Sequence, residues 1–164
     1  MSLHASRRAG FIAAGLALLT LVVVQTASVA SPTPPNQLRT YDKQFLMYTN
    51  HARAAHGLPP LKQSNRLYVI AHRWAEHEAA TGSFAHNPQY GAYVNAKCPN
   101  WRNYGENTGW QASTDSGALF KLYMQDPPHR ANILSHVYTD VGIATVRSSN
   151  GKEWNVMDFA NHCD

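Results

Sequence analysis

No run of basic residues tracks through this chain. Its 14 Lys and Arg stand against 10 Asp and Glu, and beyond Arg7-Arg8 the basic residues are scattered singly. Nothing could follow a phosphate backbone, so nucleic acid is excluded as a partner. No Gly-x-Ser-x-Gly elbow is present, and a standard serine hydrolase would have no nucleophile. A glycine-rich phosphate loop is also missing. His77-Glu78-Ala79-Ala80-Thr81 begins like a zinc-protease helix, but Thr81 stands where the second histidine is required. No segment repeats.

Long apolar runs are equally scarce. The one that exists, Ala9 to Val24, has 16 residues, short of the about 20 that a membrane span needs. Arg7 and Arg8 precede it and Ser28-Val29-Ala30 follows it, the layout of a secretory signal peptide over residues 1–30. An uncleaved anchor is the alternative. No cysteine sits near the cut, which argues against a lipid-anchored form. Removing this segment leaves 12 basic against 10 acidic side chains, so much of the basic balance leaves with it. The remainder is expected to be a single extracellular domain with no stable membrane span.

Cysteine is limited to two residues, Cys98 and Cys163. Export makes a disulfide between them the expectation, and two free thiols the alternative. Closing so long a loop is worth about 4 kcal/mol in the chain-entropy model. A bridge also leaves no thiol for a cysteine nucleophile.

Residues 31–39 read as a proline-rich linker. From Thr40 the pattern is helical, with Phe45, Tyr48, Thr49, Ala52 and Ala55 on one face and Lys43, Asn50 and Arg53 turned away. Gly57, Pro59 and Pro60 stop it. A second helix is predicted over residues 65–81, with Leu67, Ile70, Ala71 and Trp74 as its apolar stripe and Gly82 as its end. Residues 83–110 are irregular and long enough either to carry function or to hide short elements. A third helix starts near Asp115 and ends before Pro127. Asp126 then reads as an N-cap and Pro127 as the first residue of a short helix carrying His129. Residues 141–147 and 154–160 read as strands joined through Asn150-Gly151. Both have apolar residues at both parities, so both sheet faces are covered. The fold class is therefore α+β, layered helix–sheet–helix.

Of nine histidines, His51, His56, His72, His77, His136 and His162 fall on helix faces or in loops beside charged neighbours, where a solvated or capping role suffices. His72 and Glu76 are placed to pair one helical turn apart. His86, Glu106 and His129 sit instead at the edges of predicted elements. They are 20 and 23 residues apart, so only the fold could bring them together. His129 lies in the first turn of its helix, where the dipole disfavours imidazolium and keeps a metal-binding or proton-accepting neutral ring.

Seven segments then fall in one family order: Asn50-His51-Ala52-Arg53 with Gly57-Leu58-Pro59-Pro60-Leu61; Ala71 to Ala75; Ser83-Phe84-Ala85-His86-Asn87; Tyr104-Gly105-Glu106-Asn107; Pro128-His129-Arg130-Ala131-Asn132-Ile133-Leu134; Val141-Gly142-Ile143-Ala144; and Trp154 to Ala160. In these the chain resembles the CAP superfamily of cysteine-rich secretory, antigen 5 and pathogenesis-related proteins, in its short bacterial form. The resemblance implies a three-layer α-β-α sandwich over residues 40–164 and a cleft lined by His86, His129 and Glu106. Many members add a glutamate at the end of the third helix. Here only Asp126 could serve, and its simpler role is the cap. The family is not defined by one reaction; some members bind divalent metal, some bind sterols or fatty acids, and a few are reported as hydrolases. The reading that follows is a secreted, monomeric binding module rather than an enzyme. Its expected ligand is a lipid, a sterol or a cell-envelope component, and its cleft could take Zn2+ or another divalent cation. The alternative is a metal-assisted hydrolase with His86 and His129 on zinc and Glu106 as ligand or general base.

Overall fold

Gly82 and Gly57 both adopt left-handed backbone, with φ of 70° and 69°, and they end the two long helices where side-chain-bearing residues would be strained. A computed structural model describes residues 39–164. The expected signal peptide and nearly all of the proline-rich linker lie outside these residues. Helix α1 spans Thr40–Ala55. Helix α2 spans Asn65–Thr81, opened by the Ser64 hydroxyl accepting from the Leu67 N–H, and closed where the Gly82 N–H donates to Glu78 O at 2.8 Å.

Four strands form one sheet. Strand β1 is Lys62–Gln63, β2 is Tyr104–Gln111, β3 is Asp140–Arg147 and β4 is Glu153–Ala160. Their order is β1-β3-β4-β2, with β1 parallel to β3 and the other pairs antiparallel. The expected hairpin is β3–β4, and Gly151 in its turn has φ of 85°.

Helices cover both faces, as the apolar parity predicts. On one face Phe45 of α1 packs with Val141, Ile143, Met157 and Phe159 of the sheet. Leu119 and Tyr123 of α4 (Ser116–Gln125) and Ile133 of α5 (Pro127–Ile133) complete that layer. On the other face α2 lies against Ala144 and Val156 through Tyr68, Ala71 and Ala75. Gly142 sets this spacing, because a Cβ there would fall on the Leu67–Tyr68 peptide. Helix α3 (Tyr90–Lys97) packs beside α2 through Tyr90 and Val94. Cys98, at its end, is bonded to Cys163, 65 residues away, and both are buried.

Two expectations need correction, and one alternative is decided. Residues 83–110 do hide short elements, namely α3 and all but the last residue of β2. Two glycines and an asparagine give β2 a poor strand signal, yet each glycine has a packing reason. Gly105 makes room for Tyr138 and Gly109 for Tyr123. Arg53 does not face water. It is fully buried, donating to Pro59 O at 2.9 Å, Ile133 O at 2.9 Å, Ser135 O at 2.8 Å and Tyr138 O at 3.4 Å. Asp126 stands at the N-cap position of α5 but makes no side-chain cap bond. Its carboxylate goes to His129 instead.

Candidate functional site

The loop between α2 and α3 is held by two carboxylates that rise from beneath it. Glu78 sits on the buried stripe of α2, and its Oε1 accepts from the Ala85 N–H at 3.3 Å. Glu106 projects from β2 and its Oε1 accepts from the Asn87 N–H at 2.9 Å and pairs with His86 Nδ1 at 2.7 Å. Trp74 Nε1 adds a third tie, to Ala85 O at 2.8 Å. The loop therefore presents Phe84 and His86 outward on a fixed backbone. The His86 side chain is 67% exposed while that of Glu106 is 5% exposed.

Burial dominates the electrostatics. Glu78 is fully buried and its carboxyl is pushed up from 4.5 to about 7, against the pull of the Thr108 hydroxyl and the Ala85 N–H. Thr108 Oγ1 lies 2.7 Å and 2.9 Å from the two Glu78 oxygens. Glu106 is also raised by burial, with the Asn87 N–H and His86 holding it back. Asp158 stands opposite Glu106 on β4. It is fully buried, and burial followed by the Glu106 charge drives it well above the carboxylate range. Glu106 Oε2 and both Asp158 oxygens find no other donor. A neutral Asp158 carboxyl donating to Glu106 gives Glu106 Oε2 and one Asp158 oxygen a partner.

His129 reaches the same region around the free edge of β2. Helix α5 is docked there by amides: Asn107 Nδ2 donates to His129 O at 2.9 Å, and Asn132 Nδ2 donates to Asn107 Oδ1 at 2.8 Å and Glu106 O at 3.2 Å. The His129 ring lies 4.7 Å from the Tyr123 ring, and its Nδ1 is 2.6 Å from Asp126 Oδ2. Burial lowers its pKa; Asp126 opposes this and His86 adds to it. The expected direction is met, but the first cause is burial rather than the dipole of a seven-residue helix.

The four candidate side chains thus form two pairs, His86 with Glu106 and His129 with Asp126. Among the described residues, no three His, Cys, Asp or Glu side chains are grouped so as to hold a metal ion. In this arrangement the set His86, Glu106, His129 does not fit one. Beside His129 runs an open groove of about 380 Å³, lined by Phe84, Trp110, Leu119, Leu122 and Tyr123, with Asp126 and His129 at its polar edge. Phe84, Leu122 and Trp110 are 57%, 53% and 40% exposed.

Sequence reasoning missed Glu78 and Asp158. A signal for each existed. Glu78 continues the Leu67, Ala71, Trp74 stripe at helical spacing, so it is a carboxylate on an apolar face. Asp158 lies between Met157 and Phe159 in a strand read as buried on both faces.

Comparison with known proteins agrees with this architecture. Residues 46–159 match the model of the cysteine-rich secretory protein family, CAP. The uncharacterized protein YkwD of Bacillus subtilis (strain 168) is 27% identical over 120 residues, covering 71% of this chain and 46% of its own length. The chain therefore spans less than half of that relative. Among solved structures, an extracellular SCP-domain protein of Bacillus anthracis superposes with a TM-score of 0.64 at 21% identity, covering 74% of this chain and 40% of that one. An outer surface protein of Borrelia burgdorferi superposes with a TM-score of 0.67 at 11% identity, covering 74% and 92%.

Proposed function

The chain belongs to the cysteine-rich secretory protein (CAP) family, and from that premise we propose that it is an extracellular binding module whose groove beside His129 takes up a small apolar molecule. One observation carries this reading. Phe84, Trp110 and Leu122 are large apolar side chains left exposed, and all three line the same groove. Scattered exposed hydrophobics need no explanation, but a contiguous set around a concavity marks a binding surface. The groove's 380 Å³ falls within the about 300–1,000 Å³ common for small-molecule sites. The polar edge formed by His129 and Asp126 suits one hydroxyl or carbonyl on an otherwise apolar body, as in a lipid or sterol fragment.

Export supports the location. The basic start, short apolar run and small-residue cut of residues 1–30 read as a secretory signal. Among the described residues, no helix is long and apolar enough to cross a membrane. The similar proteins of Bacillus anthracis and Borrelia burgdorferi are named for an extracellular and an outer-surface location. No comparable observation favours the metal-assisted hydrolase, whose His86 and Glu106 are tied to each other and whose His129 is tied to Asp126.

A fluorescence titration with the neutral apolar dye N-phenylnaphthylamine tests the proposal. Saturable single-site binding is expected, with energy transfer from tryptophan. Leu122→Lys and Phe84→Ser should each weaken it at least about tenfold. Binding that both variants retain at parental strength, or no saturable binding at all, sinks the groove as the ligand site.

A further inference from the structure

A second pocket opens on the opposite side of the 83–89 loop, between α2 and α3. It has a volume of about 170 Å³, below the about 300 Å³ at which sites for drug-sized ligands begin. Its occupant must be small. Trp74 and Tyr93 form aromatic walls over a floor that includes Ile70. The Trp74 plane is fixed twice, by its Nε1 bond to Ala85 O at 2.8 Å and by His77, stacked at 4.6 Å.

The polar groups at this pocket are unbalanced. Asn87 Oδ1 accepts from the Gln89 N–H at 2.9 Å, and Gln89 Oε1 accepts from the Tyr93 hydroxyl at 2.8 Å. Both amide oxygens are thereby used within the protein. Reversing the Asn87 amide would set donor against donor, which fixes its orientation; the Gln89 orientation rests on the Tyr93 hydroxyl acting as donor. The NH2 groups of Asn87, 9% exposed, and of the exposed Gln89 have no protein acceptor among the described residues and are open to solvent. Arg73 also lines the pocket, and the ion pairs among the described residues do not include it. No carboxylate lines the cavity. The site thus offers one guanidinium and two amide donors above flat walls, with the His77 imidazole also on its lining.

We propose that this pocket binds a small aromatic carboxylate, its ring between Trp74 and Tyr93 and its carboxylate on Arg73, Asn87 and Gln89. A planar guanidinium with converging N–H groups is the recognition chemistry of a carboxylate. The aromatic walls favour a flat ring over a saturated one. This site is separate from the groove beside His129, and neither proposal depends on the other.

The test uses the whole protein, benzoate as probe, and NMR observation of the Trp74 indole and the Asn87 and Gln89 side-chain amides. Saturable shifts at these groups are expected in the millimolar range. Benzamide, which lacks the charge, and cyclohexanecarboxylate, which lacks the flat ring, should each bind at least about tenfold more weakly. Arg73→Gln is at an exposed helix position and should also cost about tenfold or more. Asn87→Asp keeps the oxygen that receives the Gln89 N–H but turns the free donor into an acceptor, and it should abolish benzoate binding while the circular dichroism stays parental. Equal binding of benzoate and benzamide overturns the proposal. So does benzoate binding that survives Arg73→Gln and Asn87→Asp, or the absence of saturable shifts at these residues.

Discussion

Glu106 and Asp158 stand directly opposite each other on adjacent strands, on one face of the sheet, with both carboxyl groups buried. Two buried carboxylates this close cannot both ionise. Asp158 keeps the proton, and Glu106 stays free to hold His86 and the Asn87 N–H. Asp158→Asn preserves a neutral donor and should change unfolding stability by less than about 1 kcal/mol. Asp158→Ala removes the donor, strands Glu106 Oε2 and leaves a cavity. It should cost about 2–4 kcal/mol in a denaturant titration. Equal losses from the two variants would mean that the pair does not share a proton.

Glu78 makes stability depend on pH in an unusual direction. Its folded pKa of about 7 lies above the ordinary 4.5, and Asp42 behaves likewise, raised by burial from 3.8 to about 7. The folded state therefore binds more protons than the unfolded state between these values. The stability that this contributes is complete below the unfolded pKa and is lost as pH rises through about 7. For Glu78 alone the swing is about 3 kcal/mol. Glu78→Gln keeps the acceptor for Ala85 without the charge. Calorimetry should show Glu78→Gln melting higher than the parent at pH 8 and about equal to it at pH 5. A parental melting temperature at pH 8 would mean that Glu78 is not held in a desolvated state.

Arg53 supplies the donors for four backbone carbonyls. Its guanidinium joins the end of α1 to the turn after it, and to the Ile133–Tyr138 segment that follows α5. Arg53→Met should destabilise the protein by about 3 kcal/mol or more, because several buried carbonyls lose their donor together. Arg53→Lys should rescue little of this, since one ammonium cannot span the fork. Urea unfolding of the two variants side by side checks both statements. A lysine variant as stable as the parent would reduce Arg53 to a point charge.

Arg53 also marks where sequence reasoning stops. The pattern around it is helical and was read correctly for length and termination. The reading of the helix faces turns its side chain to solvent, and three of its four carbonyl partners lie 80 and more residues away. Helix α2 was legible because Gly82 and the Leu67–Trp74 stripe are local signals. Strand β2 was not, because its Gly105 and Gly109 serve Tyr138 and Tyr123 across the fold and weaken the local strand pattern. The site shows the same division. His86, Glu106, His129 and Asp126 stood out by position and resemblance, whereas their pairing is a matter of which elements meet at the edge of β2. Glu78 and Asp158 read as ordinary members of buried elements until the opposing Thr108 and Glu106 are known.

His129 ties the groove to pH. Burial lowers its pKa, the Asp126 carboxylate raises it, and His86 lowers it further. Asp126→Asn should therefore move the His129 titration to lower pH, and His86→Ala should move it higher, both followed through the imidazole resonances. Opposite signs would overturn the electrostatic account of the cleft. The same ordering bears on ligand uptake. An apolar molecule in the groove lined by Tyr123, Leu122 and His129 withdraws the imidazole further from water, which disfavours its charged form more strongly than in the free protein. By linkage, the affinity for a neutral apolar probe must fall as pH drops through the His129 titration. In Asp126→Asn, where that titration lies lower, the fall should begin at lower pH. A dye affinity flat from pH 8 to pH 5, measured on a variant in which His129 visibly titrates in that range, would separate His129 from the groove.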